Sequence, residues 1–106
     1  MTDAQLVDGF ADGSLPPEQF RHSEHLRVAW IYLARFGRLE TERRMQDGLR
    51  RVAARAGKAD KYDAALTAAW VAVLADAAAA LGSATGFDAL AAARPELLDP
   101  RLIRNG

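Results

Sequence analysis

The sequence predicts an all-α fold: a compact helical bundle of three main helices with short helices towards its N- and C-terminal ends. Apolar residues recur at three- and four-residue spacing, and prolines and glycines separate those stretches. No stretch shows the alternation of a strand bounded by hairpin turns. The 106 residues, half of them apolar, match one domain (residues 1–106) and suffice to fill one core.

The first part of the chain predicts two helices on either side of a proline break. A short helix is expected over residues 3–10 with Thr2 as its N-cap, and residues 12–17 interrupt it. The first main helix is expected from about residue 18 to residue 36, followed by Gly37 as a stop. Its buried face is expected to be formed by Leu26, Ala29, Trp30, Leu33 and Phe36.

The remaining helices are predicted from the same signals, apolar spacing, N-caps and glycine or proline breaks. The second main helix is expected over residues 40–56 and carries a stripe of arginines on its wet side. The third is expected to begin at Asp60 as its N-cap and to end in the loop 82–86. A short helix over residues 87–93 and a proline-framed turn over residues 96–99 complete the chain.

Composition narrows the function classes. The chain has no cysteine, which excludes disulfides, zinc fingers and cysteine nucleophiles, and agrees with a cytoplasmic location. Its net charge is zero, which argues against nucleic-acid binding. The start of the chain does not read as a secretory signal. The alanine-rich run 64–81 is interpreted as a buried helix rather than a membrane span. No phosphate loop is present, so no organic cofactor is required.

The two histidines of the chain give the strongest functional signal. His22 and His25 are three residues apart, so on a helix they share a face, which continues into Ala29, Trp30 and Leu33. Such a pair is consistent with a metal site, which needs at least one more ligand. It is equally consistent with acid–base groups beside an apolar wall. The simplest alternative is that both are polar residues at the start of a core helix.

A second polar group is expected at the start of the third main helix. Asp63 and Thr67 are four residues apart and therefore stacked, Trp70 continues that face, and Tyr62 stands beside them. If this helix packs against the first one, Asp63 can orient a histidine or bind a metal through oxygen. Alternatively, Asp63 is a helix-start carboxylate favoured by the helix dipole.

Charge is unevenly distributed along the chain. Residues 1–20 hold four acids and no base, whereas residues 38–61 hold eight bases and four acids. The acidic leader is expected to lie against the basic helix, or against another copy of it. A homodimer or a protein partner is therefore an alternative to a small-molecule ligand.

The chain resembles an uncharacterised bacterial family of small helical proteins with a Phe-x-His-x-x-His-Leu-x-x-Ala-Trp motif. The resemblance rests on the segments 20–33, 61–67 with Ala69-Trp70, 87–90 and 95–99. The family has histidine then glutamate after the tyrosine of the third main helix, where this chain has Asp63 and Ala64. The resemblance implies that Asp63 substitutes for that histidine, or that this member is a binding or accessory subunit.

Three functions follow as hypotheses. The first is a small-molecule-binding protein, acting as a cofactor-independent acid–base enzyme of lyase, isomerase, cyclase or hydrolase type. In it His22, His25 and Asp63 would be catalytic, and the ligand would contact a second set of residues: Tyr62, Thr67, Trp30 and Trp70. The second is a divalent transition-metal site made by His22, His25 and Asp63. The third is a non-catalytic interaction or accessory subunit.

Overall fold

A computed structural model describes residues 1–82 and 84–103. Those residues form helices and no strand, which confirms the all-α prediction. The helices are α1 (Asp3–Asp12), α2 (His22–Arg55), α3 (Ala64–Leu81) and α4 (Phe87–Ala93). Short 3₁₀ turns precede α2 and α3 and follow α4: Pro17–Gln19, Ala59–Lys61 and Pro95–Leu98. The radius of gyration, 12.9 Å, is that of a compact domain of this length.

The longest helix, α2, is a hairpin of two arms. Gly37 has φ 77° and ψ 178°, which interrupts the helix between residues 22–36 and residues 38–55. A straight helix of 34 residues would be about 51 Å long. The longest dimension of the molecule is only 36 Å, so the arms fold back on each other. Arg44 in the second arm lies 4.0 Å from the ring centroid of Phe36 in the first. The predicted stop at Gly37 therefore separates two arms that pack side by side.

The predicted N-terminus of α1 is correct, whereas that of α2 is not. Thr2 caps α1, because its hydroxyl accepts the Gln5 N–H at 3.1 Å, as predicted. The predicted start of α2 near residue 18 is wrong, since residues 17–19 form a 3₁₀ turn and the α-helix begins at His22. The Arg21 backbone N–H donates to the Glu24 carboxylate at 3.1 Å, which satisfies a donor at the true start.

The prediction that Asp60 caps the alanine-rich helix is also wrong. Asp60 lies in the 3₁₀ turn Ala59–Lys61, and Tyr62 continues in an extended conformation. Asp63 is the N-cap of α3, and its carboxylate accepts the Leu66 N–H at 3.0 Å. Both aspartates are acceptable caps, but only Asp63 directly precedes the uninterrupted run of helix-forming residues. The end of α3 is as predicted, with Gly82 as its C-cap; Ser83 of the predicted loop lies outside the described residues.

An aromatic column forms part of the core. Phe10 of α1 stacks on Phe20 with ring centroids 4.9 Å apart, and Phe20 in turn lies 4.3 Å from the His25 ring. Phe10 is 2% exposed and covers Gly48 in the second arm of α2. The column therefore connects α1 and both arms of α2 to the histidine pair.

By length and composition alone, α3 is apolar enough to cross a membrane, with a mean hydropathy of 1.8. In the structure α3 packs against α2. It buries one side against the core, through Thr67, Val71, Leu74 and Ala77. The cytoplasmic location stays a prediction.

The acidic leader contacts the arginines of α2 chiefly through backbone carbonyls. Arg51 donates to the Ala11 carbonyl at 3.2 Å, and Arg55 donates to the Leu15 carbonyl at 3.0 Å. Asp3 pairs instead with Arg27 in the first arm, at 3.2 Å. The leader thus lies against the chain's own basic helix; a homodimer or protein partner on this surface stays a prediction.

Candidate functional site

A cavity of about 520 Å³ lies between the two arms of α2 and the start of α3. This volume falls within the range of about 300–1,000 Å³ found for small-molecule sites. Most of its wall is aliphatic or aromatic, from residues such as Leu26, Met45, Leu49, Leu66 and Leu74. Because both arms contribute, the turn at Gly37 is what creates the cavity.

The cavity brings together all but one of the residues predicted for the site. His22 and His25 line it from α2, and four residues line it from the start of α3: Tyr62, Asp63, Thr67 and Trp70. Trp30, predicted as an apolar wall, does not line it. Its indole N–H donates to the Thr85 carbonyl at 2.6 Å, and its ring is 5% exposed. Trp30 thus holds the loop after α3, and Trp70 alone supplies an indole to the cavity.

His22 is fixed in orientation by two distant segments. Its Nε2 lies 2.9 Å from the Leu97 carbonyl, and its ring meets Trp70 edge-on with centroids 4.6 Å apart. A carbonyl oxygen only accepts hydrogen bonds, so Nε2 must carry the proton. In the neutral ring Nδ1 therefore keeps its lone pair, and no described residue donates to it. His22 thus combines a structural contact with a free basic nitrogen.

His25 has the same tautomer for the same reason. Its Nε2 lies 3.0 Å from the Phe20 carbonyl, so this nitrogen is the donor. Burial, together with the adjacent His22, lowers the pKa of His25 to about 4, against smaller opposing effects of the Phe20 hydrogen bond and the Glu24 carboxylate. His25 is consequently neutral at physiological pH, and its Nδ1 is an acceptor rather than an effective base.

Acid is expected to destabilise the fold through His25. Its pKa falls from an ordinary 6.5 to about 4 on folding. Below pH 6.5, His25 therefore binds a proton in the unfolded chain but not in the folded chain. The contribution of neutral His25 to the free energy of unfolding is therefore fully present above pH 6.5 and is lost as pH falls towards 4. The loss between pH 7 and pH 5 is about 2 kcal/mol. Urea unfolding at those two pH values measures this loss.

A matched variant isolates the histidine contribution. Gln in place of His25 retains an N–H donor for the Phe20 carbonyl but does not titrate. His25→Gln is therefore expected to be nearly equally stable at pH 7 and pH 5. An identical pH dependence in the variant and the wild type would show that His25 is not responsible.

Asp63 and Thr67 are engaged in holding the start of α3. The Asp63 carboxylate accepts the Leu66 N–H, and the Thr67 hydroxyl donates to the Asp63 carbonyl at 3.2 Å. The simpler interpretation of Asp63, a carboxylate at a helix start, thus accounts for its contacts. Both side chains still border the cavity, and Thr67 is 8% exposed.

Tyr62 carries a polar group of the lining whose hydrogen bonding is weak. Its hydroxyl is buried and makes no hydrogen bond of standard geometry among the described residues, although the Thr67 hydroxyl is near enough to interact with it. Burial raises the pKa of the phenol above its ordinary value, while the neighbouring Thr67 hydroxyl and the Arg50 guanidinium oppose the rise. A buried hydroxyl without a partner costs about 1–3 kcal/mol. This cost is recovered when an acceptor is supplied.

Two cations of the lining were not predicted from the sequence. Lys58 and Lys61, in the connection between α2 and α3, line the cavity together with Pro17 and Pro100. Both lysines are exposed, which places them at the mouth. Both belong to the segment 38–61, whose excess of basic residues was the signal available in the sequence.

The metal prediction has less geometric support than the cavity. Among residues 1–82 and 84–103, no group of three or more histidine, aspartate or glutamate side chains is placed to hold a metal ion. The proposed third ligand, Asp63, already caps α3. A metal at His22, His25 and Asp63 stays a prediction, and elemental analysis of untagged protein tests it.

Comparison with models of protein families, with curated proteins and with solved structures finds no match to this chain. The cavity itself is therefore the feature from which a function is inferred.

Proposed function

We propose that this protein binds a small, largely apolar molecule in the cavity between α2 and α3. The supporting observation is the mainly apolar wall of this cavity, in which the Tyr62 hydroxyl is buried without a hydrogen bond of standard geometry to any described residue. A cavity with many apolar groups and few convergent polar ones is the usual form of a small-molecule site. A ligand with one acceptor group would satisfy the hydroxyl while its apolar body covers the aliphatic wall.

The histidines would complete the polar side of the site. With Nε2 of both rings donating to backbone carbonyls, each ring offers Nδ1 as an acceptor. An N–H held by a carbonyl is also the usual way in which a functional imidazole is fixed in one tautomer. The ligand is therefore expected to carry a donor as well as an acceptor.

If the bound molecule is transformed, we assign the proton transfer to His22. His25, with a pKa of about 4, is too weak a base for this role near neutral pH. His22→Gln would keep an N–H donor towards the Leu97 carbonyl and remove the basic nitrogen. For an acid–base enzyme, this variant would retain binding and lose turnover. For a pure binding protein, only affinity would change.

Binding of a neutral probe tests the proposal. Octanol, titrated into the protein by isothermal calorimetry, is expected to bind with one site per chain. Ala53 lines the cavity and is half-buried, so Ala53→Trp should fill it and weaken octanol binding at least ten-fold. Ala54, its neighbour, is exposed and outside the lining, so Ala54→Trp is the matched control and should bind like the wild type.

Two results would contradict the proposal. One is the absence of octanol binding to the wild type. The other is equal affinity of the wild type and the Ala53→Trp variant, which would place the octanol elsewhere.

A further inference from the structure

The mouth of the cavity carries unbalanced positive charge. Lys58 and Lys61 both line it, and neither forms an ion pair or a side-chain hydrogen bond within residues 1–82 and 84–103. The arginines of the neighbouring arm behave differently, since Arg43 and Arg44 pair with Glu40. Within the described residues, the two lysines are thus unpaired cations at the entrance to the apolar cavity.

The acidic and titratable groups of the lining do not offset these charges. Asp63 is the one carboxylate among the described residues that borders the cavity, and it already accepts the Leu66 N–H. Its single negative charge leaves the two lysines in excess by one. Asp60 lies in the same turn as Lys61, but it is exposed and outside the lining. Arg50, whose guanidinium lies 5.4 Å from the Tyr62 ring centroid, pairs with Asp47 at 3.8 Å, so it neither adds to nor offsets the charge of the two lysines.

We infer that the ligand is an amphipathic organic anion, with an apolar body in the chamber and a carboxylate at the lysines. This inference rests on the proposed small-molecule function and names the class of ligand. Lysine ammonium groups on flexible stems recognise an anionic head as point charges, without demanding one geometry. Their position at the rim keeps the head partly solvated, which limits the cost of removing a charge from water. The apolar wall deeper inside selects against small inorganic anions.

Three probes with the same eight-carbon chain separate charge from apolar contact. Octanoate, octanol and octylammonium are titrated at pH 7 and low ionic strength by calorimetry. Octanoate is expected to bind at least five-fold more tightly than octanol, and octylammonium at least five-fold more weakly. Because the lysines are exposed, the octanoate preference should shrink as salt is added.

Matched variants locate the effect. The double variant Lys58→Gln/Lys61→Gln should bind octanoate no more tightly than octanol, because Asp63 is then the charged residue that remains in the lining. The control, Arg35→Gln/Arg38→Gln, removes the same charge from exposed residues beside the Gly37 turn and should keep the octanoate preference. An unchanged melting temperature in both variants would show that the fold is retained.

The outcomes distinguish the two proposals. If octanol binds in the cavity but octanoate binds no more tightly, the anion inference is overturned and the small-molecule function stands. The same conclusion follows if the preference survives loss of both lysines. If octanol fails to bind the wild type at all, the proposed function falls, and the inference falls with it.

Discussion

Replacing Gly48 with alanine is expected to destabilise the fold by about 3 kcal/mol, although alanine is the better helix former. Gly48 lies in the middle of the second arm of α2, directly beneath the Phe10 ring. A methyl group on Gly48 would overlap three atoms of that ring. Phe10 cannot move aside, because it is 2% exposed and stacked against Phe20. Chemical denaturation at neutral pH measures the loss.

A double-mutant cycle identifies the clash as the cause. In a Phe10→Leu background the smaller side chain leaves room for a methyl group. Gly48→Ala should then lower the free energy of unfolding by at least about 1 kcal/mol less than it does in the wild type. Additive effects of the two substitutions would indicate that the Phe10 ring is not the obstacle. Since Phe20 lies between Phe10 and His25, a displaced Phe10 also disturbs the cavity wall.

Gly37→Ala is expected to lower the free energy of unfolding by about 3 kcal/mol. The cause is backbone strain and not a side-chain clash. With φ 77° and ψ 178°, Gly37 occupies a region that is essentially restricted to glycine. Nothing lies within 4 Å of a methyl group placed there, so the penalty is conformational. Because the two arms that meet at Gly37 both line the cavity, octanol affinity should fall together with stability.

Gly86→Ala is the matched control for that substitution. Gly86 has φ −71°, and a methyl group added to it would likewise meet nothing within 4 Å. Alanine fits this conformation, but it is a poorer N-cap of α4 than glycine, so the loss in the free energy of unfolding should be about 0.5–1 kcal/mol, well below that at Gly37. Equal effects at Gly37 and Gly86 would contradict the backbone argument.

Local patterns in the sequence account for most of the helices. The apolar spacing, the Thr2 cap and the breaks at Gly37 and Gly82 are all properties of a few neighbouring residues. The ends of helices were less predictable where two nearby residues could both serve as the N-cap. Asp60 and Asp63 are both good caps, and only the extended conformation of Tyr62 between them decides the outcome.

Side-chain contacts with distant backbone were not predictable from the pattern. His22 meets the Leu97 carbonyl, 75 residues away, and Trp30 meets the Thr85 carbonyl, 55 residues away. A backbone carbonyl is present at every position, so no residue type marks which one a side chain will reach. The helical spacing therefore predicted correctly that His22 and His25 face α3. It predicted wrongly that Trp30 lines the cavity together with Trp70.

The separation of the two tryptophans gives the protein a built-in optical reporter. Trp70 lines the cavity and touches the His22 ring, whereas Trp30 is enclosed elsewhere in the core. A Trp30→Phe variant would therefore emit from a single indole at the chamber wall. Its emission would shift to shorter wavelength when a bound molecule displaces solvent from the cavity. Occupancy of the cavity would then be read in real time without a label.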